Sequence, residues 1–183
     1  MAKTNVALTI NSIRSENTVS EIVLDVKGGT FFNHMQPPYP PKSNQYWMVI
    51  FDRRSLKVVE NFQFSNNSAV PSQISKYQND TNFFYVLTTQ LMSTPNLPTG
   101  PFYKWLRAEG AGKELTRIEQ AAETLNCGSW SSISYTLVDI FGPKDSSTFE
   151  FSGLETSRLI TTLELAPIDI SGTTYYSPIE LRS

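Results

Sequence analysis

His34 and Cys127 are the single histidine and the single cysteine of this 183-residue sequence, and that scarcity bounds its chemistry. Zinc is held by several His, Cys or carboxylate ligands, and a Ser-His-Asp or Cys-His arrangement would have to be built on His34. The run Met35-Gln36-Pro37-Pro38-Tyr39-Pro40-Pro41 places His34 in a loop, where a histidine without partners reads as structural. One cysteine forms no internal disulfide, so the fold must rest on its core. Gly110-Ala111-Gly112-Lys113 has the look of a phosphate loop, but the G-x-x-x-x-G-K-[ST] pattern is broken by Arg107 and by Glu114. A linker between two helices is the reading that remains, with the free amides of the second helix as a weaker anion site.

Carboxylates are scattered along the chain. Asp139 stands out, because the alternation Ile133, Tyr135, Leu137 carries it onto an apolar strand face, where it would need a partner. Its place near the strand end favours the plainer expectation of contact with water or an arginine. No Asp-x-Asp-x-Asn-Gly calcium loop occurs, and no cofactor is expected. Ligand-binding candidates come instead from rings and amides: Tyr103 and Trp105 on a short helix, Trp130 in a loop, and Asn66 and Asn67 in another. Sugar rings stack on exposed aromatics beside amide groups, although such large side chains usually lie in the core.

A net charge of −2 supplies no basic stripe, so neither nucleic acid nor an acidic membrane surface is an expected partner. Hydrophobic residues at 39% and aromatics at 12% argue for a packed core, while charged residues at 17% leave Ser, Thr and Asn to fill polar positions. The sequence shows no apolar secretory core near Met1 and no run of about 18 apolar residues. The expected location is the cytoplasm or a particle assembled there.

Val6, Leu8, Ile10 and Ile22, Leu24, Val26 alternate as two strands of a hairpin closed by Gly28-Gly29. Tyr46 to Phe51 is nearly continuous apolar sequence, as in a strand covered on both faces. Asp52-Arg53-Arg54-Ser55 turns it into a second strand, Leu56 to Phe64. A short helix over about 70–78, a strand from Phe83 to Thr88 and a helix opened by Pro101 follow. Leu115, Ile118, Ala122 and Leu125 then draw the stripe of an amphipathic helix, with Lys113, Glu114, Arg117, Glu119 and Glu123 on its wet side and Gly128 as its stop. Further strands are expected around Ile133 to Leu137, Phe149 to Phe151, Leu159 to Leu165 and Tyr175 to Leu181. The predicted class is α+β: two facing, mostly antiparallel sheets, sandwich-like, with two or three flanking helices in a single domain spanning 1–183.

Four pieces in order carry a resemblance: Val49-Ile50-Phe51-Asp52 with Leu56-Lys57-Val58-Val59, then Phe62-Gln63-Phe64-Ser65, then Phe84-Tyr85-Val86-Leu87-Thr88, then Leu115 to Leu125 with Tyr135-Thr136-Leu137-Val138 and Gly142. Residues 46–142 thereby resemble the interleukin-like EMT inducer, or PANDER-like, domain of secreted cytokine-like proteins and of the stem of a protein O-mannose glycosyltransferase. The resemblance implies two facing sheets with helices at their edges, a non-enzymatic role, and, through some relatives, carbohydrate binding. Ser65 stands where the family has aspartate, its arginine falls near Ser132, and its cysteines are missing, so no binding residue is carried over.

The expected role is a non-enzymatic structural or interaction subunit of a larger assembly, a phage or phage-like particle being one such. Residues 46–142 would be its core, and 1–45 and 143–183 β-rich extensions that dock onto other protein subunits through 1–27 and 147–183. The alternative is a lectin-like, carbohydrate-binding module.

Overall fold

The computed structural model describes residues 4–13, 19–26, 29–34, 43–124, 133–142, 148–154 and 158–180. In chain order these form β1 (Val6–Ser12), β2 (Glu21–Val26), β3 (Gly29–His34), β4 (Gln45–Asp52), β5 (Val58–Phe64), β6 (Phe83–Gln90), α1 (Gly100–Ala108) and α2 (Lys113–Thr124). Then come β7 (Ser134–Ile140), β8 (Phe149–Gly153), β9 (Leu159–Ile170) and β10 (Thr173–Glu180), with 3-10 turns at Ser72–Lys76 and Thr94–Asn96.

Two antiparallel sheets result, with strand orders β10-β9-β1-β2-β3 and β5-β4-β6-β7-β8. The sequence of β4 explains how they stack. A strand sends alternate side chains to opposite faces, and almost every residue of β4 is apolar, so both faces must be covered. Trp47, Val49 and Phe51 face the other sheet and pack with Val6, Leu8, Ile10, Ile22, Leu24, Leu163 and Leu165. Tyr46, Met48 and Ile50 face the opposite way, against Ile74, Phe102, Trp105, Leu106, Leu115 and Ile118. The order of layers is therefore outer sheet, inner sheet, helices. This is an α+β sandwich with helices on one flank, as the periodicity predicts.

The stripe of α2 packs as expected at Leu115 and Ile118; Ala122 is partly covered, and Leu125 and Gly128 lie outside the described residues. Four expectations change. His34 ends a strand, β3, paired with Glu21 of β2, because the chain turns directly back after β2. Leu56 closes the turn instead of starting β5: its φ is 56°, and its N–H donates to the Asp52 carbonyl at 2.8 Å. The helix expected over 70–78 is only a 3-10 turn, Ser72–Lys76. The supposed extensions are one entire layer, since β1, β2, β3, β9 and β10 make up the outer sheet and β8 joins the inner one.

The two sheets are tied at opposite ends of β4. Beside its start, Ser20 N–H donates to Gln90 Oε1 at 2.8 Å, and Ser12 Oγ and Ser20 Oγ both donate to the Thr89 carbonyl, at 3.0 and 2.8 Å. These buried polar groups are matched, so their burial costs little. Just past its end, the guanidinium of Arg53, itself buried, donates from Nε to the Tyr176 carbonyl at 2.8 Å and from Nη1 to the Thr81 carbonyl at 2.6 Å. Tyr176 N–H returns a bond to the Arg53 carbonyl at 2.8 Å, and the Tyr175 ring lies 5.5 Å from the guanidinium carbon. Burial lowers the Arg53 pKa, Tyr175 opposes that, and the carbonyls and the ring face stand in for a counterion. Among the described residues, no helix is long and apolar enough to cross a membrane.

Candidate functional site

Of the sequence-derived ligand residues, Tyr103, Trp105, Asn66 and Asn67 are described. Trp105 corrects the expectation of an exposed ring: it is 8% exposed, stacks on Phe102 at 6.0 Å and tilts onto Tyr85 at 5.8 Å. Phe102, Trp105 and Leu106 share one side of α1, so the helix buries them together and no indole face is left for a sugar. Tyr103 is half-buried against the same core. Asn66 is occupied by its own turn, its Oδ1 accepting from Ser68 N–H at 2.9 Å, Ser68 Oγ at 3.0 Å and Ala69 N–H at 3.2 Å. Asn67 donates from Nδ2 to the Leu97 carbonyl at 3.0 Å and accepts from Thr99 N–H at 2.7 Å through its own carbonyl, which fixes the approach to α1. Trp130 and Tyr39 lie outside the described residues.

The possible anion site at the start of α2 is filled from within. Glu150 of β8 accepts from Gly112 N–H and Glu114 N–H, each at 2.8 Å, and from the Tyr135 hydroxyl at 2.7 Å. A carboxylate at this end complements the helix dipole and satisfies amides that the helix cannot. Burial, reinforced by Glu150, pushes the Tyr135 phenol well above its ordinary value, so it acts as a donor. Gly112 has a φ of +114°, and the Arg107 side chain occupies the space a Cβ would need.

Asp139 also departs from expectation, being 1% exposed instead of meeting water at a strand end. Its Oδ1 accepts from Ile140 N–H at 2.7 Å and its Oδ2 from Thr148 Oγ1 at 3.1 Å. Tyr85 lies directly across the strand pair, its phenol raised by burial first and by Asp139 and Glu109 after it. A carboxylate so covered presents no surface to a substrate. Among the described residues, no group of three or more His, Cys, Asp or Glu side chains could hold a metal ion.

Two exposed features have the geometry of contact surfaces. On the outer sheet, Ile160, Ile168 and Ile170 share the solvent side of β9 by period two, and Ile179 of β10 lies on the same side, opposite Glu164. They are 59%, 42%, 50% and 36% exposed. The pairing of β9 with β1 ends at Val6 and Leu165, whereas its pairing with β10 continues to Ile170 and Thr173, so the hairpin reaches past the sheet. Its Ser171-Gly172 turn has φ of 52° and 80°, a combination that suits a two-residue hairpin and favours glycine at the second position.

On the helical flank, a groove of about 220 Å3 runs between the 94–99 segment and α2, lined by Thr94, Leu97, Pro98, Thr99, Glu119, Ala122 and Glu123. Glu119 and Glu123 read from the sequence as simple members of a wet helix face, whereas Ile160 and Ile179 fall inside expected strands and Ile168 and Ile170 outside them. Their signal was present in the spacing: like charges one turn apart, and apolar residues on the wrong side of an alternating strand. No protein-family model matches the chain, and no similar sequence is found among curated proteins.

Proposed function

We propose that this chain is a non-enzymatic structural or interaction subunit of a larger protein assembly, and that it docks onto neighbouring subunits, copies of itself included, through the outer face of the β9–β10 hairpin. The observation that supports this reading is the distribution of exposed apolar side chains. Among the described residues, the exposed large hydrophobics are Val59, Ile160, Ile168, Ile170 and Ile179, and all but Val59 lie on that one hairpin face. Scattered exposed aliphatics need no explanation, whereas an aligned group on a projecting hairpin offers area that a neighbour can bury. The Arg53 bonds to Tyr176 hold the hairpin base, so the surface is preorganised and little ordering entropy opposes docking. On this reading the likeness of residues 46–142 to the PANDER-like domain is one of scaffold, and the buried Trp105 weakens the carbohydrate alternative.

Light scattering of the full chain over a wide concentration range tests the proposal. The expected result is a mass above the 20.6 kDa monomer that falls to the monomer value in an Ile168→Asp, Ile170→Asp variant whose melting temperature is unchanged. A wild-type chain that stays monomeric throughout would count against it.

A further inference from the structure

The groove beside α2 is a second surface, and its lining names the chemistry that would fill it. Leu97, Pro98 and Ala122 are apolar, Thr94 and Thr99 bring hydroxyls, and Glu119 and Glu123 bring two carboxylates one helical turn apart. Those carboxylates lie in the second half of α2, where the helix dipole already disfavours negative charge, and the last turn of α2 carries no basic residue to offset them. Among the described residues the ion pairs are Arg54 with Asp52, Lys76 with Glu60 and Arg117 with Glu114, none of which involves Glu119 or Glu123. The segment that follows the helix, 125–132, contains no lysine or arginine in its sequence. Helix stability alone therefore disfavours this pair at this place.

We propose that the groove receives a lysine side chain from a protein partner. The aliphatic stem lies along Leu97, Pro98 and Ala122, and the ammonium sits between the carboxylates of Glu119 and Glu123, within reach of the threonine hydroxyls. A lysine stem is apolar and its head is a compact cation, the combination that this lining complements. The volume suits a single side chain, since sites that engulf a whole small molecule run to roughly 300–1,000 Å3. The groove lies on the helical flank and the β9–β10 face on the outer sheet, so this proposal goes beyond the hairpin reading and either can fail alone.

The test is an amide-resolved NMR titration of the full chain, under dilute conditions, with a capped glycine peptide carrying one lysine and with its norleucine counterpart. The lysine peptide is expected to shift the amides of Leu97, Thr99, Glu119, Ala122 and Glu123. Those shifts should shrink with added salt, be absent with norleucine, and fall at least severalfold in Glu119→Gln, Glu123→Gln. The same double variant should melt no lower than the wild type, because the carboxylates are placed for contact and not for the helix. Absence of shifts, equal shifts from norleucine, shifts that survive the double substitution, or a lowered melting temperature would each overturn the proposal.

Discussion

Among the described residues, the two sheets have the same number of strands and are used differently. β4, β6 and β7 of the inner sheet are buried along nearly their whole length, because one face meets the outer sheet and the other meets the helices. In the outer sheet, β1 from Val6 to Ile10 and β9 from Ile160 to Leu165 bury alternate residues and cover the others less or not at all. These three inner strands thus have no free face to offer a partner, whereas the outer sheet has one whose isoleucines the fold does not need. Stability and contact are separated by layer, and each substitution below tests that separation.

The largest effect belongs to the interface between the layers. Trp47 is fully buried, and its indole N–H donates to Asn61 Oδ1 at 2.7 Å. Trp47→Ala should cost about 3–5 kcal/mol in denaturant unfolding. Ile168→Ala on the outer face should stay within about 0.5 kcal/mol. Comparable costs at the two positions would dissolve the comparison. Next comes the tie between the sheets: Arg53→Ala removes two charge-assisted bonds and the ring contact and should cost about 2 kcal/mol. Arg53→Lys should recover only part of that, since an ammonium cannot reproduce the planar fork. Glu150→Gln, which removes the charge from the start of α2, should cost about 1 kcal/mol and raise amide exchange in the first turn of the helix.

The smallest effect is a pH dependence at the β4–β5 turn. Burial pushes the Asp52 carboxyl up, but bonds from the Ser55 hydroxyl, Ser55 N–H and Arg54 N–H outweigh it and hold the group below its ordinary 3.8. A group whose folded pKa is depressed adds stability that is complete above its unfolded value and lost as pH falls through the folded one. Wild-type stability should therefore drop faster than that of Asp52→Asn as the pH is taken below about 3.8, followed by thermal melting.

The inner sheet was legible in the sequence because a strand covered on both sides must be apolar throughout, and Tyr46 to Phe51 and Phe83 to Thr88 state this directly. The stripe of α2 was equally clear. Leu159 to Leu165 and Tyr175 to Leu181 were read as strands, but the continuation of β9 to Ile170 was not, because Pro167 interrupts it and proline argues against a strand interior. Pro167 lies past the last β1 pair, where β9 has lost one neighbour, so its missing N–H can fall on the open side. Trp105 was misplaced although its signal was visible, since Phe102, Trp105 and Leu106 follow the core spacing of a helix. The Arg53 tie was illegible because its acceptors, the carbonyls of Thr81 and Tyr176, are backbone groups whose position depends on how the layers stack.

Amide spectra of the full chain recorded dilute and concentrated reach the division of labour most directly. Concentration should broaden or shift the amides of Ile160, Ile168, Ile170 and Ile179 while those of β4, β6 and β7 keep their positions and widths. Spectra that do not change with concentration, or changes centred on the inner sheet, would contradict the assignment of contact to the outer face.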